Sequence, residues 1–148
     1  MSGTTAEQVL KDHEAQIVAL TPEDTAGVDR FTPSRVGGID GLEAAELDRV
    51  FATIVTEGPM QAGSCDDYIR GSTGVRYFDH QGSDLEDEAQ SRVLQDAVQI
   101  RDAIRRLASR NSHVAESYVE RVTHDYGVFA GANVVLVRFD WFIRFCVR

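Results

Sequence analysis

Cysteine occurs only twice in the 148 residues, at Cys65 and Cys146, with no CxxC or Cys/His spacing around either. A disulfide framework and a zinc site therefore have no support, and both thiols are read as reduced and structural. Long apolar runs are missing as well. None reaches the roughly 18 to 20 residues that span a bilayer. The start, "MSGTTAEQVLKDHEAQ", has neither the basic cluster nor the apolar stretch of a secretory signal. These absences point to a protein made and kept in a cytosol, with no membrane partner. Basic residues are in the minority, 15 against 24 acidic ones, for a net charge of −9. The imbalance is local: residues 1–48 hold ten acids against Lys11, Arg30 and Arg35, a balance of −7, and the remaining hundred residues carry −2. Such a chain is repelled by phosphate backbones, whose binding rests on Lys and Arg contacts, so nonspecific nucleic-acid binding is disfavoured. Lysine is the scarcest charge, one residue beside fourteen arginines, a bias that goes with a GC-rich genome.

What remains has the composition of a globular protein, 43% apolar and 26% charged, in a length that suits one domain over residues 1–148. Thr4 or Thr5 caps a first helix running to about Leu20, with Val9, His13, Ile17 and Leu20 on one thin apolar stripe that packs lightly or against a partner. Pro22 ends it. Residues 21–46 then read as a long irregular segment. Its first part, "TPEDTAGVDRFTPSRVGGIDG", carries two prolines and four glycines, and loops of this length are usually functional or mobile.

The core follows over residues 47–148. "LDRVFATIVTE", 47–57, predicts a strand apolar on both faces that Gly58 and Pro59 break. "DYIRGSTGVRYFD", 67–79, predicts a second, with Tyr68, Arg70, Arg76 and Phe78 on one side. A helix from about residue 84 to 110 is signalled by Ser83 and Glu86 in capping-box spacing and by a stripe of Ala89, Val93, Ala97, Ile100, Ile104 and Leu107. Acids lie in its first turn and arginines in its last turns, as the helix dipole favours. A third strand covers 114–124, with Val119, Arg121 and Thr123 on one side and Tyr118, Glu120 and Val122 on the other. "DYGVFAGAN" supplies a turn, and residues 133–148 form a fourth strand. In that last strand Val135, Val137, Phe139, Trp141, Ile143, Phe145 and Val147 alternate with Leu136, Arg138, Asp140, Phe142, Arg144, Cys146 and Arg148. Strand and helix match in length at about 40 to 45 Å. The expected fold is α+β: a mixed or antiparallel sheet of about four strands, one long helix packed on a face, and an N-terminal helix.

No catalytic constellation emerges, and no cofactor or metal site is expected. His80 beside Asp79 and His124 beside Asp125 are neighbours whose side chains point to opposite faces of a strand. "CDDY" at 65–68 lacks a second ligand cluster or a positioned base, and "GSTG" at 71–74 lacks the lysine and helix start of a phosphate loop. Phe139, Trp141, Phe142 and Phe145 have the chemistry to stack on bases, but their spacing is that of a core strand.

From about Arg49 onward the sequence resembles the tail terminator, or tail completion, proteins of long-tailed bacteriophages. The resemblance rests on an order of features: "RVFATIV", a strand ending in "GVRYFD", the acidic cap "GSDLEDEAQ", the helix "RVLQDAVQIRDAIRRL", a strand, and the closing "VVLVRFDWFIRFCV". It implies a virion structural protein, assembled in the host cytoplasm, that forms a six-fold ring on the head-proximal end of the tail tube. Such a ring stops tube polymerisation and contacts the tail tube protein and the head-tail connector or stopper protein. Genome DNA passes through its bore without specific binding, which an acidic lining would favour. The polar side of the last strand, Arg138, Asp140, Phe142, Arg144 and Arg148, is the candidate interface, with Phe142 the odd residue among charges. Met60, in the segment 56–66, is the other candidate. Two further classes fit the sequence: an acidic immunity or antitoxin-like inhibitor, and a winged-helix-like module if "ELDRVFATIVTEGP" is helical.

Overall fold

The computed structural model describes residues 3–22, 31–33, 49–78, 88–129 and 132–147. Helix α1 spans Ala6–Val18, with the Thr5 hydroxyl accepting a hydrogen bond from the Gln8 amide at its start. Its buried residues, Val9, His13 and Ile17, recur every four positions. Strands β1 (Thr32–Pro33), β2 (Val50–Gln61), β3 (Asp66–Phe78), β4 (Val114–Phe129) and β5 (Ala132–Cys146) form one sheet in the order β1-β2-β3-β5-β4. Helix α2 (Glu88–Arg110) joins β3 to β4. All pairings are antiparallel except that of β1 with β2.

This is the α+β layout that the periodicities predict, with five strands in place of about four. The added strand, β1, lies inside the segment read as irregular. Two residues are too few to show an alternation, and what fixes them is non-local: Phe31 is buried and the Thr32 amide bonds to the Arg49 carbonyl. Two other boundaries move. β2 continues through Gly58 and Pro59 to Gln61, because bulges at Val55/Glu57 and Glu57/Met60 bend it along a sheet edge where proline breaks no ladder. β4 continues to Phe129, through most of the predicted turn. The expected apolar character of both β2 faces holds only at its start. Val50 and Phe51 are buried, whereas Ile54, paired with Ser72 and so on the outer face, is 60% exposed. The capping residues Ser83 and Glu86 and the Ala89 side chain lie outside what is described.

β5 occupies an inner position, bonded to β3 on one side and β4 on the other. Its odd-numbered residues Val135 through Phe145 are all buried and meet Val93, Ile100, Ile104 and Leu107 of α2 and Val9 and Ile17 of α1 in one core. α1 packs against α2, and α2 lies mainly along β4, where the Ser117 hydroxyl donates to the Ile104 carbonyl at 2.6 Å. The helices thus cover one face of the sheet.

The close fit has one critical position. Gly71 stands opposite Trp141 in the β3–β5 ladder. A Cβ there would lie 2.6 Å from Trp141 Cζ2 and would collide with the Ile54 backbone oxygen of the neighbouring strand. Gly71→Ala is therefore expected to cost at least the 1 to 3 kcal/mol typical of overpacking, read as a shift in urea midpoint. A change under about 0.5 kcal/mol would mean that strand and ring yield freely.

Candidate functional site

The outer face of the sheet, away from the helices, collects the candidate interface residues. Period-2 alternation puts Arg138, Asp140, Phe142 and Arg144 of β5 there. Register then chooses their neighbours: Tyr68 stands opposite Arg144, Arg70 and Tyr118 flank Phe142, and Ser72 and Arg121 flank Asp140. Phe142 is accordingly not isolated. Its ring stacks between Tyr68 (centroids 5.4 Å apart) and Tyr118 (5.2 Å), making an aromatic row across three strands. The row carries an edge-strand residue too, since the Met60 sulfur lies 3.6 Å from the Tyr68 hydroxyl. Arg148 lies outside the described residues.

Charges lock the row in place. The Arg70 guanidinium lies 5.0 Å from the Phe142 ring centre and donates to Glu57 on one side (3.1 Å) and Glu120 on the other (2.9 Å). Tyr68 also donates to Glu57, at 2.9 Å. Arg144 pairs with Asp66 at 2.7 Å and Glu116 at 3.5 Å, and Asp140 with Arg138 at 3.3 Å and Arg121 at 3.6 Å. The hydrogen bond from Arg70, then that from Tyr68, holds the Glu57 carboxyl below its ordinary range. The same carboxylate raises the Tyr68 phenol and the Arg70 guanidinium. These shifts all favour the protonation state each group already has at neutral pH, so the cluster is not poised for proton transfer. A partly exposed lattice of this kind fixes side-chain positions more than it stabilises the fold.

Tyr68, Arg70, Glu57, Tyr118 and Glu120 are members of this surface that sequence reasoning did not single out. Alternation already put Tyr68 and Arg70 on one side of β3, but which strand faces them is a matter of register. In β4 a bulge between Val119 and Arg121 changes the expected faces: Arg121 and Thr123 join Tyr118 outside, and Val122 turns inward opposite Phe139. Among the other candidates, Phe139, Trp141 and Phe145 are core residues, Cys65 is exposed, and His124 is half-buried beside an exposed Asp125. His80 and Asp79 lie outside the described residues.

Among the described residues, two buried polar clusters occupy the helix side. Arg49, held at φ 57° where β2 begins, donates through Nε to Asp96 of α2 at 2.8 Å, both side chains 1% exposed. In the second, His13 Nε2 and Trp141 Nε1 both meet the Thr73 hydroxyl, at 2.8 and 3.0 Å. An open cleft between α1 and the end of α2 is lined by Asp12, Gln16, Arg110 and Asn111, with Arg110 donating to Gln16 and Asn111 to Asp12. Among the described residues no group of three or more His, Cys, Asp or Glu is arranged to hold a metal, and no helix is long and apolar enough to cross a membrane. No family model matches the chain, and no curated protein matches it either.

Proposed function

We propose that the chain is a structural protein of a long-tailed phage virion, a tail terminator that closes into a six-fold ring at the head-proximal end of the tail tube and joins the tail to the connector. The observation that carries this reading is the outer sheet face: an aromatic row of Tyr68, Phe142 and Tyr118, clamped by Arg70 and Arg144, that no described element covers. The order β2, β3, long α2, β4, β5 supports this reading. Residues 50–61 form a strand, which removes the helical reading on which a winged-helix module depended.

The test is the mass of the purified protein in solution followed by electron microscopy, alone and with a tail tube protein. Six-fold rings, or subunits that close into rings only on tube ends, are expected. A strict monomer under both conditions that instead forms a one-to-one complex with a basic partner would establish the inhibitor class. Met60→Asp, at a side chain 51% exposed beside the aromatic row, is expected to leave the melting temperature within about 2 °C and to weaken assembly at least tenfold. Unchanged assembly would take the outer face out of the interface.

A further inference from the structure

We propose that the second half of β4 is a docking edge for a second copy of this chain, pairing antiparallel about a two-fold axis at Thr123 and so joining two sheets into one. A free strand edge is a template for pairing, and proteins usually blunt it with proline, lysine or bulges. The two edges of this sheet differ in that respect. β2 is flanked by β1 at its start and is then broken by two bulges and Pro59. β4 is bulged only as far as Arg121; from there to Val128 it is regular, has neither proline nor lysine, and is the last strand of the sheet among the described residues. Tyr126 and Val128 on this stretch are 57% and 72% exposed.

Charge then chooses both the occupant and the register. Directly opposed residues of an antiparallel pair share a face, so two copies of one regular strand must pair about a residue, not between residues. Centring on Arg121 or on Asp125 opposes like charges. Centring on Val122 or His124 pairs no charges at all. Centring on Thr123 sets Arg121 of each copy opposite Asp125 of the other, two attractive pairs flanking a Thr–Thr pair, which are among the favoured cross-strand combinations. Tyr126 then lies diagonal to Val122 of the second copy and loses its exposure to water. Arg121 is available for this: its side chain is 66% exposed, and its contact with Asp140 is 3.6 Å. Asp125 is exposed and has no ion pair among the described residues.

The contact closes at two copies. It does not depend on the ring reading. Sedimentation of the full chain at low salt is expected to show dimerisation at micromolar concentration. Asp125→Arg and Arg121→Asp, each opposing like charges, are expected to weaken it about tenfold or more apiece, with melting temperatures close to that of the parent. Mixed in equal amounts, these two variants restore both attractive pairs in the heterodimer, and affinity returns to within about threefold of the parent. A parent that stays monomeric to about 100 µM, a dimer indifferent to the swaps, or a mixture without rescue overturns the pairing. Six-fold rings formed unchanged by both variants, without any two-fold species, overturn it too and leave the ring reading standing.

Discussion

Replacing Asp96 with alanine is expected to lower stability by about 3 to 5 kcal/mol, the cost of removing one partner of a buried ion pair. Against the 5 to 15 kcal/mol of a typical domain, that is a large share. The other partner is the Arg49 guanidinium, 1% exposed, which meets the carboxylate at 2.8 Å through Nε and at 3.4 Å through Nη2. Burial first, and then the Asp96 charge and hydrogen bond, push the neighbouring Tyr77 phenol well above its ordinary value, so it stays a neutral donor to Asp96. Alanine removes the acceptor from both. The backbone at Arg49 compounds the loss, since a φ of 57° is strained for a residue with a Cβ and persists only while the surroundings enforce it. Here the Arg49 amide bonds to Arg76 and its carbonyl to Thr32, so the side chain's anchor on α2 fixes the place where β1, β2 and β3 meet. Urea denaturation measures the loss, and a cost below about 1 kcal/mol would show that water or rearrangement replaces the partner. Replacing both residues, with Arg49→Met and Asp96→Leu, is expected to recover most of it, because a buried pair contributes little net stability even though its halves depend on each other.

That pair also marks the limit of what the sequence discloses. In α2 the apolar stripe is local and repetitive, so Val93, Ile100, Ile104 and Leu107 are legible as core from spacing alone, and the structure buries all four. Asp96 falls inside the same stripe, next to Ala97, and looks like a polar interruption. Its partner is 47 positions away at the start of another strand, and no local pattern links them. β5 repeats the lesson. Its two faces are legible from alternation, including the side that carries Arg138, Asp140, Phe142 and Arg144. That Phe142 is flanked by two tyrosines depends on a sheet order in which β5 separates β3 from β4, and that order follows from packing of the whole chain. The β4 bulge is equally silent in the sequence, since an extra residue leaves no mark until a partner strand counts against it.

Acid is expected to remove a comparable amount of stability through one histidine. His13 fills an apolar position of the α1 stripe, fully buried, its ring centre 5.0 Å from that of Trp141. The Thr73 hydroxyl has one hydrogen and two lone pairs. It satisfies every neighbour when it accepts from Trp141 Nε1 and His13 Nε2 and donates to Thr53 at 3.0 Å. That assignment leaves His13 Nδ1, which has no hydrogen-bond partner, as a bare acceptor, a cheaper buried orphan than an N–H or a charge. Burial therefore lowers the imidazole from its usual 6.5 to about 4. Above pH 6.5 both folded and unfolded chains hold it neutral and stability is complete. Between 6.5 and 4 only the unfolded chain takes the proton, so stability falls by up to about 1.4 kcal/mol per pH unit, and by about 3 kcal/mol in all. Glu57, also held low, costs stability in the same direction, but mainly from its ordinary value of 4.5 downward. His13→Gln separates the two, since its amide still has a donor for Thr73 and takes no proton. Urea midpoints from pH 7.5 to 4.5 should fall less steeply for the variant than for the parent, by close to one proton's worth of slope, although the variant starts lower. Parallel curves would mean that the proton enters the folded core unopposed, and that α1 is not held to the sheet through a neutral histidine.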